Sequence, residues 1–207
     1  MRHPLPSLTC ALLATLASPA VLAKSQGDWE FAIGAHQVRP ASDNGTLAGG
    51  TLDVDVGNDT RPTLSAEYFI RDNLGIEVLA AVPFEHDIAV AGLGTVASTR
   101  HLPPTVTLQY HFNTQGRVSP FVGAGVNFTA FYDEQTRGAL SGADLRLGNS
   151  WGLAAHAGVD VRITDAGSLR LNARWIDIDT EVELDGAELG EVNIDPLVYG
   201  AAWVFRF

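Results

Sequence analysis

Over residues 197–207 the chain alternates without a slip. Leu197, Tyr199, Ala201, Trp203, Phe205 and Phe207 fall on one face; Val198, Gly200, Ala202, Val204 and Arg206 fall on the other. Successive side chains of a strand point to opposite faces, so this is a strand with one face made for an oily surrounding. The same period of two recurs upstream in seven further segments, 28–40, 61–70, 74–81, 102–112, 119–132, 150–163 and 169–175. The first sets Trp29, Phe31, Ile33 and Ala35 against Glu30, Ala32, Gly34 and His36, and the seventh sets Leu169, Leu171, Ala173 and Trp175 against Arg170, Asn172 and Arg174. Between them lie connections that alternate in length: 41–59, 83–100, 133–149 and 179–195 are long and loop-like, and 71–73, 113–118 and 164–167 are short. Eight strands of this length joined long, short, long, short predict an all-β fold. The expected architecture is an eight-stranded antiparallel up-and-down transmembrane β-barrel, both termini periplasmic, with four long outer loops and three short periplasmic turns. A soluble sandwich gives no reason to send long and short connections to opposite ends, and a lipocalin-like barrel would use the same strands inside out.

Composition narrows the choice less than pattern does. A 207-residue chain with 46% hydrophobic residues suits one domain in water or in lipid. Beyond its first two dozen residues it holds no apolar run near the roughly 20 residues a membrane helix needs, so a membrane protein made from it must be a barrel. A net charge of −11 argues against a nucleic-acid partner, which needs a basic face. The chain opens with Arg2 and His3, an apolar stretch from Leu8 to Ala17, and Ala20-Val21-Leu22-Ala23, which reads as a secretory signal cleaved after Ala23. The expected division is therefore a signal peptide, 1–23, and a barrel, 24–207. Cys10, the only cysteine, falls in the signal, and Pro4 to Thr9 is not the apolar run that precedes a lipidated cysteine. The mature chain has no thiol and must draw its stability from a continuous hydrogen-bonded structure.

Several segments carry a family resemblance: His101-Leu102-Pro103-Pro104-Thr105, Pro120-Phe121-Val122-Gly123-Ala124-Gly125-Val126-Asn127, Ser150-Trp151-Gly152, Asp177-Ile178-Asp179-Thr180, Asp195-Pro196 and the terminal Phe205-Arg206-Phe207. In this order they resemble the OmpW family of small outer-membrane barrels over nearly the whole mature chain. The resemblance implies a narrow lumen associated with passage of small hydrophobic molecules; periodicity by itself implies a barrel and no ligand. The closing Trp203, Phe205 and Phe207 resemble the ending that the barrel-assembly machinery reads in such proteins. In the family the constriction pairs a leucine with an aromatic; Leu79 matches the leucine, and Arg174 stands at the aromatic's place. A guanidinium there would make the throat less apolar, reach into the ionic groups below, or hold an anionic head group.

If the less apolar face of each strand lines the lumen, Glu30, Glu67, Glu77, His111, Asp160, Arg162, Arg170 and Arg206 gather at the periplasmic end as an ionic plug. An eight-stranded barrel is just wide enough to be filled by its own side chains, and unpaired charges there would each cost several kcal/mol. Toward the outer end Val38, Leu79, Thr107, Phe131, Arg174, Ile176 and Val198, with Ala154, make the expected ligand path. The prolines Pro40, Pro62, Pro83, Pro103, Pro104 and Pro196 fall at outer strand ends, where a missing N–H either ends a strand or leaves a gap for lateral exit into the membrane.

Three function classes follow. The first is a conduit for small hydrophobic or amphipathic molecules, without cofactor or metal, whose partners are outer-membrane lipids, lipopolysaccharide and the barrel-assembly machinery. The second is a structural barrel or surface receptor, which would use the same acidic loops: Asp53, Asp55 and Asp59 in the first, Glu181, Glu183, Asp185, Glu188 and Glu191 in the last. Such loops are solvated, or bridge lipid phosphates through divalent cations. The third is a lipid-modifying enzyme, which needs a nucleophile beside a histidine and a carboxylate. His36, His86, His101, His111 and His156 are scattered over different segments and no Gly-x-Ser-x-Gly elbow occurs. Gly92-x-Gly94-x-x-Ala97 lies in a loop and lacks the strand-turn-helix setting of a nucleotide site.

Overall fold

Each alternating segment can satisfy its backbone in lipid only by pairing on both sides, and the chain meets this demand by closing on itself. The structure, a computed structural model, describes residues 24–207. The expected signal, 1–23, lies outside the described residues. The barrel strands are β1 (Trp29–Arg39), β2 (Asp59–Arg71), β3 (Leu74–Ala81), β4 (Thr105–His111), β5 (Val118–Thr136), β6 (Ser150–Thr164), β7 (Gly167–Ile176) and β8 (Leu197–Arg206). Each pairs antiparallel with the next, and β8 returns to β1 from Glu30↔Arg206 to Arg39↔Leu197, so no edge remains.

The outward face is apolar and bare. Ile33, Leu64 and Leu153 are 57%, 58% and 62% exposed, a waste in water and the right boundary in hydrocarbon. Exposed aromatics band both ends of this belt. Trp29, Tyr68, Tyr110, Phe112 and Phe207 ring the short-turn end, and Trp151, Trp175 and Tyr199 ring the other. Trp203 is half-buried a step further in, where its indole covers Gly167. The described N-terminus and the C-terminus meet at the short-turn end, with Phe207 N–H donating to the Trp29 carbonyl over 3.0 Å.

The long connections are not the irregular loops their Gly, Asn and Asp content suggests. They carry strands of their own: Thr46–Leu47 against Leu52–Val56, Phe84–Val90 against Gly94–Leu102, and a small sheet of Leu145–Leu147, Asp179–Leu184 and Ala187–Asn193. The cause is again period two. In Leu52-Asp53-Val54-Asp55-Val56 and Glu181-Val182-Glu183-Leu184 the acids face solvent while the aliphatics turn inward. Asp185 and Gly186, both at positive φ (51° and 79°), make the tight turn that such a hairpin needs. The inward aliphatics (Val54, Val56, Val182, Val192, Ile194) join Val38, Phe84, Phe131, Ile176 and Val198 in one apolar core over the barrel mouth.

Candidate functional site

The lower lumen is built by register. Glu30 pairs with Glu67 and Glu67 with Glu77, so three glutamates stand side by side on β1, β2 and β3. Like charges directly opposite repel, so this row exists only because cations face it. Arg170 on β7 supplies most of the answer. Its Nε donates to Asp160 over 2.7 Å, Nη1 to Glu77 over 3.3 Å, and Nη2 to Asp160, Glu30 and Glu67 over 3.0, 3.3 and 3.4 Å. The guanidinium lies 4.7 Å over the Phe121 ring, and Arg170 is 2% exposed. Lys24 completes the set, with Nζ 2.9 Å from Glu30, 2.7 Å from Asp160 and 3.0 Å from His111 Nδ1. His111 Nε2 donates to Glu67 over 2.7 Å. Sequence reasoning missed Lys24, although one signal was available: it is the chain's only lysine, at the head of the first strand.

Of the residues expected in the plug, Glu30, Glu67, Glu77, His111, Asp160 and Arg170 are brought together, and Arg162 and Arg206 are not. Both sit at the rim, where water is within reach: Arg162 donates to the Thr114 carbonyl and Arg206 pairs with Asp28. Two residues expected along the ligand path belong to the polar floor. Thr107 donates to Glu77 Oε2 over 3.4 Å, and Arg174 pairs with that same oxygen while touching His156 Nδ1 over 3.1 Å. The throat is not made polar by Arg174, because an unpaired guanidinium would be costly there and Glu77 is close enough to draw it down.

Above the floor the surroundings turn apolar. A chamber of about 10 Å³ is walled by Val38, Leu79, Ile176 and Val198, all of the expected path, and by His36, His101 and Pro103. Its lining also includes Ala80, on β3 just past the end of the β3–β4 ladder. Pairing of β3 with β4 stops at Leu79↔Thr105 and resumes at Phe84↔His101 in the hairpin above. Pro103 and Pro104, in between, have no N–H to give. Their carbonyls are drawn the other way: the buried Asn127 side chain donates to both over 3.1 Å, and Phe128 N–H donates to Pro104 over 3.1 Å.

Higher still, inside the folded loops, lies an apolar cavity of about 90 Å³. Leu47, Val54, Val56, Phe131, Val182 and Ile194 are among its walls, with His86 at its lower side. His86 and His101 stand between the two spaces, ring to ring, with their Nε2 atoms 3.2 Å apart. Burial holds both imidazoles below their ordinary range, His101 to about 3, so both are neutral. At the root of the last loop, Asp177, Asp179 and Asp195 lie close enough to hold a cation. Burial, with the two neighbouring carboxylates adding to it, pushes Asp195 up. Two of the three are already in use, Asp195 accepting from Ile178 N–H and Asp179 from the Asn193 side chain.

The OmpW family model matches residues 25–207. The chain belongs to the OmpW family. Among similar proteins is Outer membrane protein W of Escherichia coli K12, 37% identical over 97% of this chain and 96% of that one. Outer membrane protein AlkL of Ectopseudomonas oleovorans is 31% identical over 87% of this chain and 84% of the other. The crystal structure of OprG from Pseudomonas aeruginosa is similar with a TM-score of 0.79 at 31% identity, covering 89% of this chain and 98% of that one. An OmpW-family barrel of this kind resides in the Gram-negative outer membrane, and the bare apolar belt, the aromatic bands and the ring closure are what that location requires.

Proposed function

We propose that this barrel is a conduit that admits small hydrophobic or amphipathic molecules through its long-loop end, turned to the cell exterior, and releases them sideways into the membrane. One observation carries the reading: two apolar spaces, the loop cavity and the small chamber below it that is lined by Pro103 and Ala80 beside the interruption between β3 and β4, lie above a lumen filled by ion pairs. A solute that sheds water in the loop cavity meets Val38, Leu79, Ile176 and Val198 next, then the interruption between β3 and β4. Passing the floor would cost it the separation of buried charges, several kcal/mol each; passing the wall costs little, because lipid is as apolar as the chamber. The test is uptake of octane by vesicles with a lipopolysaccharide outer leaflet. Uptake no faster than in protein-free vesicles removes the conduit.

On this reading the acidic outer loops face lipopolysaccharide, and Trp203, Phe205 and Phe207 present the assembly machinery with its ending. The barrel transfers material without chemistry. The Asn172-His36-Thr63 row, with contacts of 2.8 and 2.6 Å, ties β7, β1 and β2 across the lumen as a structural brace. Loop exchange that abolished phage or toxin binding but left uptake intact would add a receptor role without displacing transport.

A further inference from the structure

The two histidines between the spaces form a chain of hydrogen bonds whose direction is fixed. The Gly57 carbonyl can only accept, so His86 Nδ1 donates to it. In a neutral ring the other nitrogen is then bare, so His86 Nε2 accepts, and His101 Nε2 must be the donor across their 3.2 Å contact. That leaves His101 Nδ1 as a bare acceptor. It is buried and has no partner among the described residues, on a side chain only 1% exposed. Phe84 and Phe131 pack against the ring at 5.6 Å and bring no polar atom. The same ring walls the lower chamber, beside Pro103 and Ala80, and that chamber has room for about one oxygen-sized group.

A buried acceptor left bare is costly, and what relieves it is a donor, not an acceptor and not a hydrocarbon. We propose that His101 is a specificity-determining residue of the conduit, its Nδ1 accepting a hydrogen bond from the hydroxyl of a small apolar alcohol or phenol as that solute turns from the loop cavity toward the wall. The inference rests on the conduit reading and adds the chemical class. The apolar body is served by the aliphatic walls. The single hydroxyl is served by a neutral imidazole, which rejects an ionised carboxylate because that group brings only lone pairs. An ether of the same length brings no donor either, and should pass as a plain hydrocarbon does.

The experiment compares 1-octanol with octyl methyl ether in the same lipopolysaccharide-faced vesicles, each corrected for protein-free vesicles. The full barrel should favour the alcohol roughly three- to tenfold, the range one neutral hydrogen bond supports. His101→Phe keeps the ring's bulk and removes the acceptor, so the ratio of alcohol to ether uptake should fall to about one. Equal uptake of both solutes by the unaltered barrel, or a preference that survives His101→Phe, overturns the proposal and leaves the conduit standing. No uptake of either overturns both. Should His101→Phe fail to fold, nitrogen-15 spectra of the unaltered barrel decide. The His101 Nδ1 resonance should move on adding 1-octanol and stay still with the ether. A resonance that ignores the alcohol means a trapped water only, and overturns it.

Discussion

Replacing Arg170 with methionine tests the ionic floor at its hub. The thioether keeps much of the volume over Phe121 but abandons four carboxylates now held within 3.4 Å. Lys24 still reaches Glu30 and Asp160, and Arg174 still reaches Glu77, so Glu67 is left with His111 alone beside two neighbouring glutamates. Breaking a buried network from one side costs about 3–5 kcal/mol, because the stranded charges keep their desolvation penalty and lose its compensation. The magnitude corresponds to roughly a hundred- to several-thousandfold change in the folding equilibrium. Urea-induced unfolding in lipid, followed by the fluorescence of Trp29, Trp151, Trp175 and Trp203, measures it directly. Arg170→Lys should fall in between, since one ammonium cannot fork toward four partners. Adding Glu67→Gln to Arg170→Met should recover part of the loss by removing the most isolated charge. A methionine variant that unfolds at the unaltered barrel's urea midpoint would refute the argument that this floor depends on Arg170.

Three further outcomes follow from the same geometry. Asn127→Leu removes the donor from two proline carbonyls and should lower stability by about 1–3 kcal/mol, with faster hydrogen exchange at β4 and the top of β5; unchanged exchange there would show that the side chain is not the latch. Gly75→Ala would place a Cβ 2.3 Å from Glu67 Oε1, so the carboxylate must leave its seat; the variant should destabilise the barrel by about 1–3 kcal/mol, read as a lower melting temperature, and an unmoved one would disprove the contact. The third concerns pH. His101 and His86 have folded pKa values below the ordinary 6.5, His101 at about 3, so the unfolded loops bind more protons between those limits. Loop stability is full above pH 6.5 and is lost as pH falls toward about 3, and limited proteolysis of the loops should accelerate across that window. His101→Phe should flatten the part of the response that belongs to His101; an identical profile would assign it to other groups.

The amino-acid order alone determined the barrel, because one face of each strand must meet lipid and the other must not, and that demand is written residue by residue. It is readable at Ile33 or Leu153 without any knowledge of neighbours. It also determined which charges turn inward, since Glu30, Glu67, Glu77, Asp160 and Arg170 follow from parity. The loop strands were written in the same alternation, in Leu52 to Val56 and Glu181 to Leu184, and were hidden by acidic and glycine-rich surroundings that look like solvated loop. What only the tertiary structure decided is partnership across the ring. Arg174 joins Glu77 from a strand 97 positions away in the chain, Lys24 reaches Asp160 over 136 positions, and Asn127 turns two proline carbonyls away from β3. Period two assigns a side chain to a face but carries no information on its height relative to strands that are not neighbours, and the meeting of charges inside a closed lumen is a matter of height.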